Sequence, residues 1–314
     1  MVKIGNVRVI DFHVHFPAAP PHFRGRQVHP LIAEYGRRRD ARMAAEWDFE
    51  TPSEPWATDP AQEPALADRW AAEVEKYNLE RVVFVMGSSN ENLAKVVARH
   101  PDRFAALVFL PDPLAPGALD ELRRGVEEWG MRGLKLLGPR IDAPLDDPRL
   151  LPIWQYVAQK RLPVLIHFGP LGKAGGVVWH PNISPLALFP VAQRFPEIPF
   201  VVPHFGCGYP QDLLWLMWSL PNIYVDTSGS NQWMRWMVQP LDLETLFRRF
   251  YETVGPKRIV FGTDSSSFPR GFSYRYLQDQ VRACRHLNFR EEDLEDIFHH
   301  NAARLLGYMP REDE

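Results

Sequence analysis

The sequence predicts a (β/α)8 TIM barrel, a single domain spanning residues 1–314 with an insertion after the first strand. Eight short apolar runs recur along the chain with helical patterns between them, and each run is close to continuously hydrophobic. Such runs belong to strands buried on both faces, as in a parallel sheet covered by helices. Eight repeats suit a sheet closed on itself, and 314 residues suit the size of that fold. The competing architecture is an open doubly wound sheet, but no Gly-x-Gly-x-x-Gly turn follows any strand.

Taken in order, Val7 to Ile10 begins the first strand, which runs on through Asp11-Phe12-His13-Val14-His15 until Pro17 and the Pro20-Pro21 pair stop it. Arg81 to Met86 is the second strand, followed by a helical stretch from Glu91 to Arg99. Phe104 to Leu110 is the third, with a helix from Pro116, a residue suited to the first helical turn, to Trp129. Gly133 to Leu137 is the fourth, and Asp147-Pro148 opens a helix reaching Gln159. Pro163 to His167 is the fifth strand, and Phe200 to His204 the sixth, with Pro203 costing it one ladder hydrogen bond. Ile223 to Asp226 and Arg258 to Gly262 are the seventh and eighth. Between those two, Leu243, Leu246, Phe247, Phe250 and Val254 trace one buried helical stripe, and Leu294, Ile297, Phe298, Leu305 and Leu306 repeat it in a final helix over Glu292 to Leu306. Residues 16–65 break the rhythm. They are rich in Pro, Arg and aromatics and hold a short helix from Leu31 to Trp47, so they read either as a lid over the barrel mouth or as a decoration at a dimer contact.

Composition excludes several classes. Hydrophobic residues are 45% and charged residues 24% of the chain, ordinary for a soluble globular protein. A net charge of −3 gives no basic field for nucleic acid, and Arg37-Arg38-Arg39 reads as a solvated helix face. Only Cys207 and Cys284 occur, which argues against a disulfide framework or a cysteine zinc site and fits a reducing cytoplasm. No signal-like segment opens the sequence, and no apolar run approaches the roughly 20 residues needed to span a bilayer.

The chemistry-bearing residues sit at strand ends. His13 and His15 are two apart, so in an extended strand both imidazoles face one side. His167 ends the fifth strand, His204 the sixth, and Asp264 follows the eighth. In a closed parallel barrel these side chains converge on the C-terminal mouth. A single histidine at a strand end means little, but three histidine-bearing strands plus an aspartate at the same end are hard to attribute to packing. Neutral imidazole and carboxylate suit zinc and other borderline first-row metals, which lower the pKa of a bound water from about 15.7 toward about 7.

The motifs Asp11-Phe12-His13-Val14-His15, Ile166-His167-Phe168-Gly169, Val202-Pro203-His204-Phe205-Gly206 and Gly262-Thr263-Asp264, with the closing Asn301-Ala302-Ala303-Arg304-Leu305-Leu306-Gly307, resemble the amidohydrolase superfamily. The resemblance is to the branch grouped with aminocarboxymuconate-semialdehyde decarboxylase, and it covers nearly the whole chain in order. It implies a metal-dependent (β/α)8 barrel in which His13, His15, His167 and Asp264 hold one divalent metal ion, zinc first and manganese second. It also implies that His204 is a catalytic group beside the metal, with Asp264 its acid–base partner. A homodimer follows from the same resemblance.

Other residues stay open. Lys135 on the fourth strand reads as a partner for a substrate carboxylate or as a structural cation, ahead of a carbamylated bridge between two metals, because a buried unpaired ammonium is costly. Arg270 follows the eighth strand closely enough to reach the mouth, where an arginine fork suits a carboxylate, and Arg24, Arg26 and Arg235 could add to it. Trp179, Trp233 and Trp236 could line a pocket for a planar substrate or serve packing. Asp11 reads as a brace facing the same way as His13, Asp226 as a helix cap in preference to a mouth residue, and Asn301 as a local backbone partner. His22, His29 and His180 read as loop histidines, and Cys207 as a packing thiol.

The leading functional expectation is a hydrolase that uses metal-activated water on a small, anionic amide, ester or lactone. The alternative is a non-oxidative decarboxylase of an aromatic or unsaturated carboxylate. A barrel retained only as a binding protein is disfavoured, since all five site residues are present.

Overall fold

Nine strands pair in parallel in the computed structural model: β1 (Ile10–His15), β2 (Arg81–Met86), β3 (Phe104–Ala106), β4 (Val108–Phe109), β5 (Leu134–Leu137), β6 (Val164–His167), β7 (Phe200–Val202), β8 (Ile223–Asp226) and β9 (Ile259–Val260). The structure describes residues 2–20, 29–47, 54–172 and 176–310. β3 and β4 are halves of the single run expected over Phe104 to Leu110. The run changes partner at its centre: Leu107 N donates to Phe84 O on β2, and Val108 N donates to Gly133 O beside β5. Eight barrel strands result, in the order of the sequence.

The ring closes between β1 and the segment after β9. Phe12 N donates to Phe261 O at 3.1 Å, Asp264 N to His13 O at 2.8 Å and His15 N to Ser265 O at 2.8 Å. Beyond the two-residue β9, Thr263 N and Asp264 N bond to β1 across this seam, while Gly262 N meets Thr227 Oγ1 beside β8. Pro203 lies just beyond β7 and therefore interrupts no ladder, contrary to the sequence expectation.

Helices cover the ring: α1 (Pro30–Trp47), α2 (Glu63–Lys76), α3 (Asn90–Arg99), α4 (Ala118–Glu127), α5 (Leu151–Gln159), α6 (Phe189–Arg194), α7 (Pro210–Ser219), α8 (Leu243–Val254), α9 (Tyr274–His286), α10 (Glu291–Glu295) and α11 (Asn301–Leu305). None among the described residues is long and apolar enough to cross a membrane. α1 matches the helix expected inside the 16–65 segment. α8 buries Leu246, Phe247 and Phe250 and starts where the Asp242 carboxylate accepts from Thr245 N. The expected final helix is present as α10 and α11 joined by a π-helical turn over Asp296–His300.

Two apolar layers give the direction of the strand side chains outside the irregular part of β1. Val82, Phe84, Leu134, Leu136, Val164, Ile166, Phe200, Val202 and Val225 pack outward under the helices. Ile10, Phe12, Val83, Val85, Leu165, Val201 and Val260 fill the barrel, with Leu305 and Leu306 of the last helix against the same inner cluster. Period-two alternation then turns the residues between outward positions toward the axis.

Candidate active site

That alternation aims the site. Lys135 lies between outward Leu134 and Leu136 and so points inward, and His167 follows inward Leu165 by two. Asp226 follows Tyr224, which packs on the inner cluster, and is itself fully buried. β1 is irregular: its register with β2 shifts between Asp11 and Val14. Phe12 therefore joins the inner cluster while Val14 joins the outer one, so the alternation is broken between them. Asp11 stays in contact with His13, accepting from its backbone N at 3.2 Å. It accepts hydrogen bonds from Thr263 Oγ1 and Thr263 N and thus ties the closing seam.

The remaining site residues stand on strained turns after the strands. His204 and Asp264 take φ of 59° and 57°, the left-handed region that non-glycine residues rarely adopt. Gly169, at φ +82°, lets the loop after β6 press on the loop after β7, since a Cβ there would lie 2.2 Å from Cys207 O.

Within the mouth, His13 Nδ1 lies 2.7 Å from Asp226 Oδ2, and its other nitrogen, Nε2, is buried with no hydrogen-bond partner. An ionised carboxylate only accepts, so the proton of His13 sits on Nδ1 and the lone pair of Nε2 is turned toward the cluster. His15 Nε2 is 3.1 Å from Asp264 Oδ1, and His13 Nε2 is 3.7 Å from the same oxygen. The His204 ring lies 5.0 Å from that of His13 and 5.2 Å from that of His167. His13, His204 and Asp264 each offer a ligand atom within 4.8 Å of the others, a spacing able to hold a metal ion. His15 and His167 border this trio, and the His167 Nε2 faces Pro170 O at 3.4 Å. Trp56 covers His15, its rings stacked at 6.1 Å, while its indole N–H donates to Ser267 Oγ at 2.7 Å.

The electrostatics fit a cation-binding mouth. Burial holds His13 and His167 well below the usual histidine range, so both rings are neutral donors of lone pairs. Burial pulls His204 down to about 4 against the opposing charge of Asp264. Burial pushes the Asp264 carboxyl up, but the hydrogen bond from His15 and the nearby histidines outweigh it and hold the group below the ordinary carboxylate range. Burial pushes Asp226 up to about 6 and pulls Lys135 down to about 8, the latter opposed by Asp226 and Asp264. Lys135 is 1% exposed.

Several sequence candidates stand apart. Trp233 is 5% exposed, packs in the outer core and donates its indole N–H to Asn231, so it is a structural residue. Trp179 is 78% exposed. Arg270 lies with its guanidinium 5.9 Å from the Tyr276 ring. His22, Arg24 and Arg26 lie outside the described residues. Asp226 is a site residue and not a helix cap; its place at the end of a strand, like that of His167, was the signal. Ser228 and Trp56 carried no comparable signal.

A family model described as Amidohydrolase matches residues 10–308. The 2-amino-3-carboxymuconate-6-semialdehyde decarboxylase of Dictyostelium discoideum is 24% identical over 269 residues, covering 79% of this chain and 71% of that protein. The structure of 5-carboxyvanillate decarboxylase LigW2 from Novosphingobium aromaticivorans, with bound manganese and 3-methoxy-4-hydroxy-5-nitrobenzoic acid, is 17% identical with a TM-score of 0.60, covering 96% of this chain and 97% of that one. The 4-oxalomesaconate hydratase LigJ from Rhodopseudomonas palustris is 18% identical with a TM-score of 0.58, covering 95% of each chain. At these identities the two structures establish the barrel fold alone. The family match begins at β1 and runs past α11, nearly the whole of the barrel, and the chain therefore belongs to the amidohydrolase family of metal-dependent enzymes.

Proposed function

We propose that the protein is a metal-dependent decarboxylase of a planar, conjugated carboxylate. The observation that carries this reading is the likeness to a decarboxylase over 79% of the chain, which favours decarboxylation over the hydrolysis expected first. A buried inward lysine supports it, because a cation at the mouth, pulled down to about 8 by burial and kept charged by Asp226 and Asp264, suits an anionic substrate.

His13, His15, His167 and Asp264 would hold one divalent ion. Two of the four, His13 and Asp264, belong with His204 to the trio of metal-holding spacing. The unpartnered, buried Nε2 of His13 and the neutral ring of His167 fit such an ion, and the nitrogen–oxygen donor set suits zinc or manganese. The metal, when bound, supplies positive charge that orients the substrate's oxygens and stabilises negative charge developing on them. Lys135 pairs with the substrate carboxylate. His204 faces the substrate through Nε2, since Nδ1 is held by Ser228. Asp264, ionised and beside His15 and His204, takes a proton from solvent water and passes it to the carbon that loses its carboxyl group, the hydroxide left behind being neutralised by the released CO2 as bicarbonate. The carbon–carbon bond breaks, CO2 leaves, and that proton quenches the electron pair left on carbon.

The test is a substrate panel on protein reconstituted with zinc or manganese: hydroxybenzoates and unsaturated carboxylates on one side, lactones and anilides on the other. CO2 release from the first group alone is expected, and ring opening or amide cleavage without CO2 release overturns the reading. Elemental analysis of variants tests the ligands. His167→Ala is expected to lose the metal and His204→Ala to keep it, and the reverse pattern moves His204 into the ligand set.

A further inference from the structure

We propose that the floor of the barrel holds a binding site for a small dianion, a phosphate or a dicarboxylate, in a cavity at the end opposite the catalytic mouth. The cavity measures about 670 Å³ and lies where four consecutive strands begin. Arg161 stands before β6, Glu197 before β7, Tyr224 in β8, Lys257 and Arg258 before β9, and Arg304 on α11. Among the described residues four cations and one carboxylate line it, in a chain whose formal net charge is −3. Charges of one sign gathered in a concave wall focus the field and draw in counter-ions.

Arg258 gives the cavity its ligand. Its Nη1 donates to Met217 O at 2.9 Å, Leu220 O at 2.7 Å and Ile223 O at 3.4 Å, so the link from α7 into β8 holds the guanidinium in place. Carbonyls carry no net charge, and among the described residues Arg258 pairs with no carboxylate. Burial pulls the group below its ordinary value, with the Tyr224 phenol opposing. A half-buried cation held by neutral groups is short of countercharge. All three bonds leave from Nη1, so the N–H groups of Nε and Nη2 remain to fork onto an oxyanion. Arg304 links the cavity to the last helix, its Nη1 meeting Asp296 Oδ1 at 3.1 Å and Asn301 Oδ1 at 3.0 Å. A dianion gathered by Arg258 and Arg304 therefore braces α11 against the entry of β9, on the face where such barrels build stability and not catalysis.

The test titrates the zinc-reconstituted full chain with inorganic phosphate and with malonate by calorimetry, against chloride at matched ionic strength. One dianion per chain is expected to bind, with a Kd of about 1 mM or below. The melting temperature is expected to rise by about 2 °C or more at saturation. The tighter of the two probes names the source, a phosphate or a dicarboxylate. Arg258→Gln is expected to weaken binding about tenfold or more, and Lys257→Gln about threefold or more. Lys257 is exposed, so its variant keeps the test open even if Arg258→Gln, which gives up three carbonyl bonds, fails to fold. Lys135→Met, at the catalytic mouth, is expected to bind the dianion as the parent does. Chloride reproducing the effect of both dianions overturns the proposal, and so does binding unchanged in Lys257→Gln. Binding lost in Lys135→Met alone overturns it too, since the anion would then sit at the mouth. No readout needs turnover, so the outcome is separate from that of the decarboxylase assignment.

Discussion

His13 shows how one residue can be fixed from both ends. Its Nδ1 faces Asp226 and its Nε2 faces the metal-sized cluster, so the carboxylate decides which nitrogen carries the lone pair. Asp226→Asn replaces an obligate acceptor by an amide that can also donate. Metal affinity is expected to fall by about 10–100-fold, the usual effect of losing an outer-shell carboxylate, and competition with a chelator measures it. Equal affinity would mean that Asp226 is not the group orienting His13. Gly262 belongs to the same arrangement: a Cβ there would lie 2.9 Å from Asp226 Oδ1 and 3.0 Å from His13 Cβ. At this scale the histidines and Asp264 were legible because strand ends are countable in a sequence. Ser228 was not, since a serine two residues past a strand is ordinary and its meaning comes from the two imidazoles that meet it.

Among the elements, the last helix does more than its apolar stripe announces. Asn301 was expected to bond locally, but its Nδ2 reaches Pro256 O at 2.9 Å and Ile259 O at 2.8 Å, and so ties α11 to the entry of β9. Asn301→Ala leaves two carbonyls without that donor, one of the bonds fully buried. The expected loss is about 1–3 kcal/mol of stability, read as a lower urea midpoint at unchanged slope; an unchanged midpoint would show that water replaces the amide. The strands were legible because runs such as Val164-Leu165-Ile166 are apolar on both faces, and the helix of Leu246, Phe247 and Phe250 because its period is regular. The split of β3 from β4 was not. It arises from a change of hydrogen-bond partner at Leu107, which leaves no trace in composition. The register shift of β1 against β2 between Asp11 and Val14 was hidden for the same reason, since it is a property of the pair of strands.

For the molecule as a whole, the seam between β1 and the segment after β9 is where fold and site are the same structure. Asp11 accepts from Thr263 N at 3.0 Å and from Thr263 Oγ1, and Thr263 Oγ1 also meets Ser265 Oγ at 2.6 Å. Thr263→Val keeps the shape and removes the hydroxyl. It is expected to destabilise the fold by about 1–3 kcal/mol, the cost of a buried carboxyl losing a partner, and to weaken metal binding in parallel. Calorimetry with and without zinc checks both, and a variant that melts like the parent would show the seam to be held by its backbone bonds alone. The closed barrel was legible from eight apolar repeats, whereas the residues that lock it were read only as a brace.

The seam also sets an order of events. Asp11 and Thr263 stand 252 residues apart in the chain, among the longest separations the molecule bonds across. Contacts between distant segments form late, because the loop they close is long and the chain between them must already be ordered. The backbone bond from Asp264 N to His13 O belongs to this late set, so the carboxylate reaches the histidines only when the ring shuts. In refolding, tight metal binding should therefore lag behind helix formation and coincide with the last phase of collapse. A bound cobalt ion, with its visible absorbance, would act as a clock for closure of the barrel.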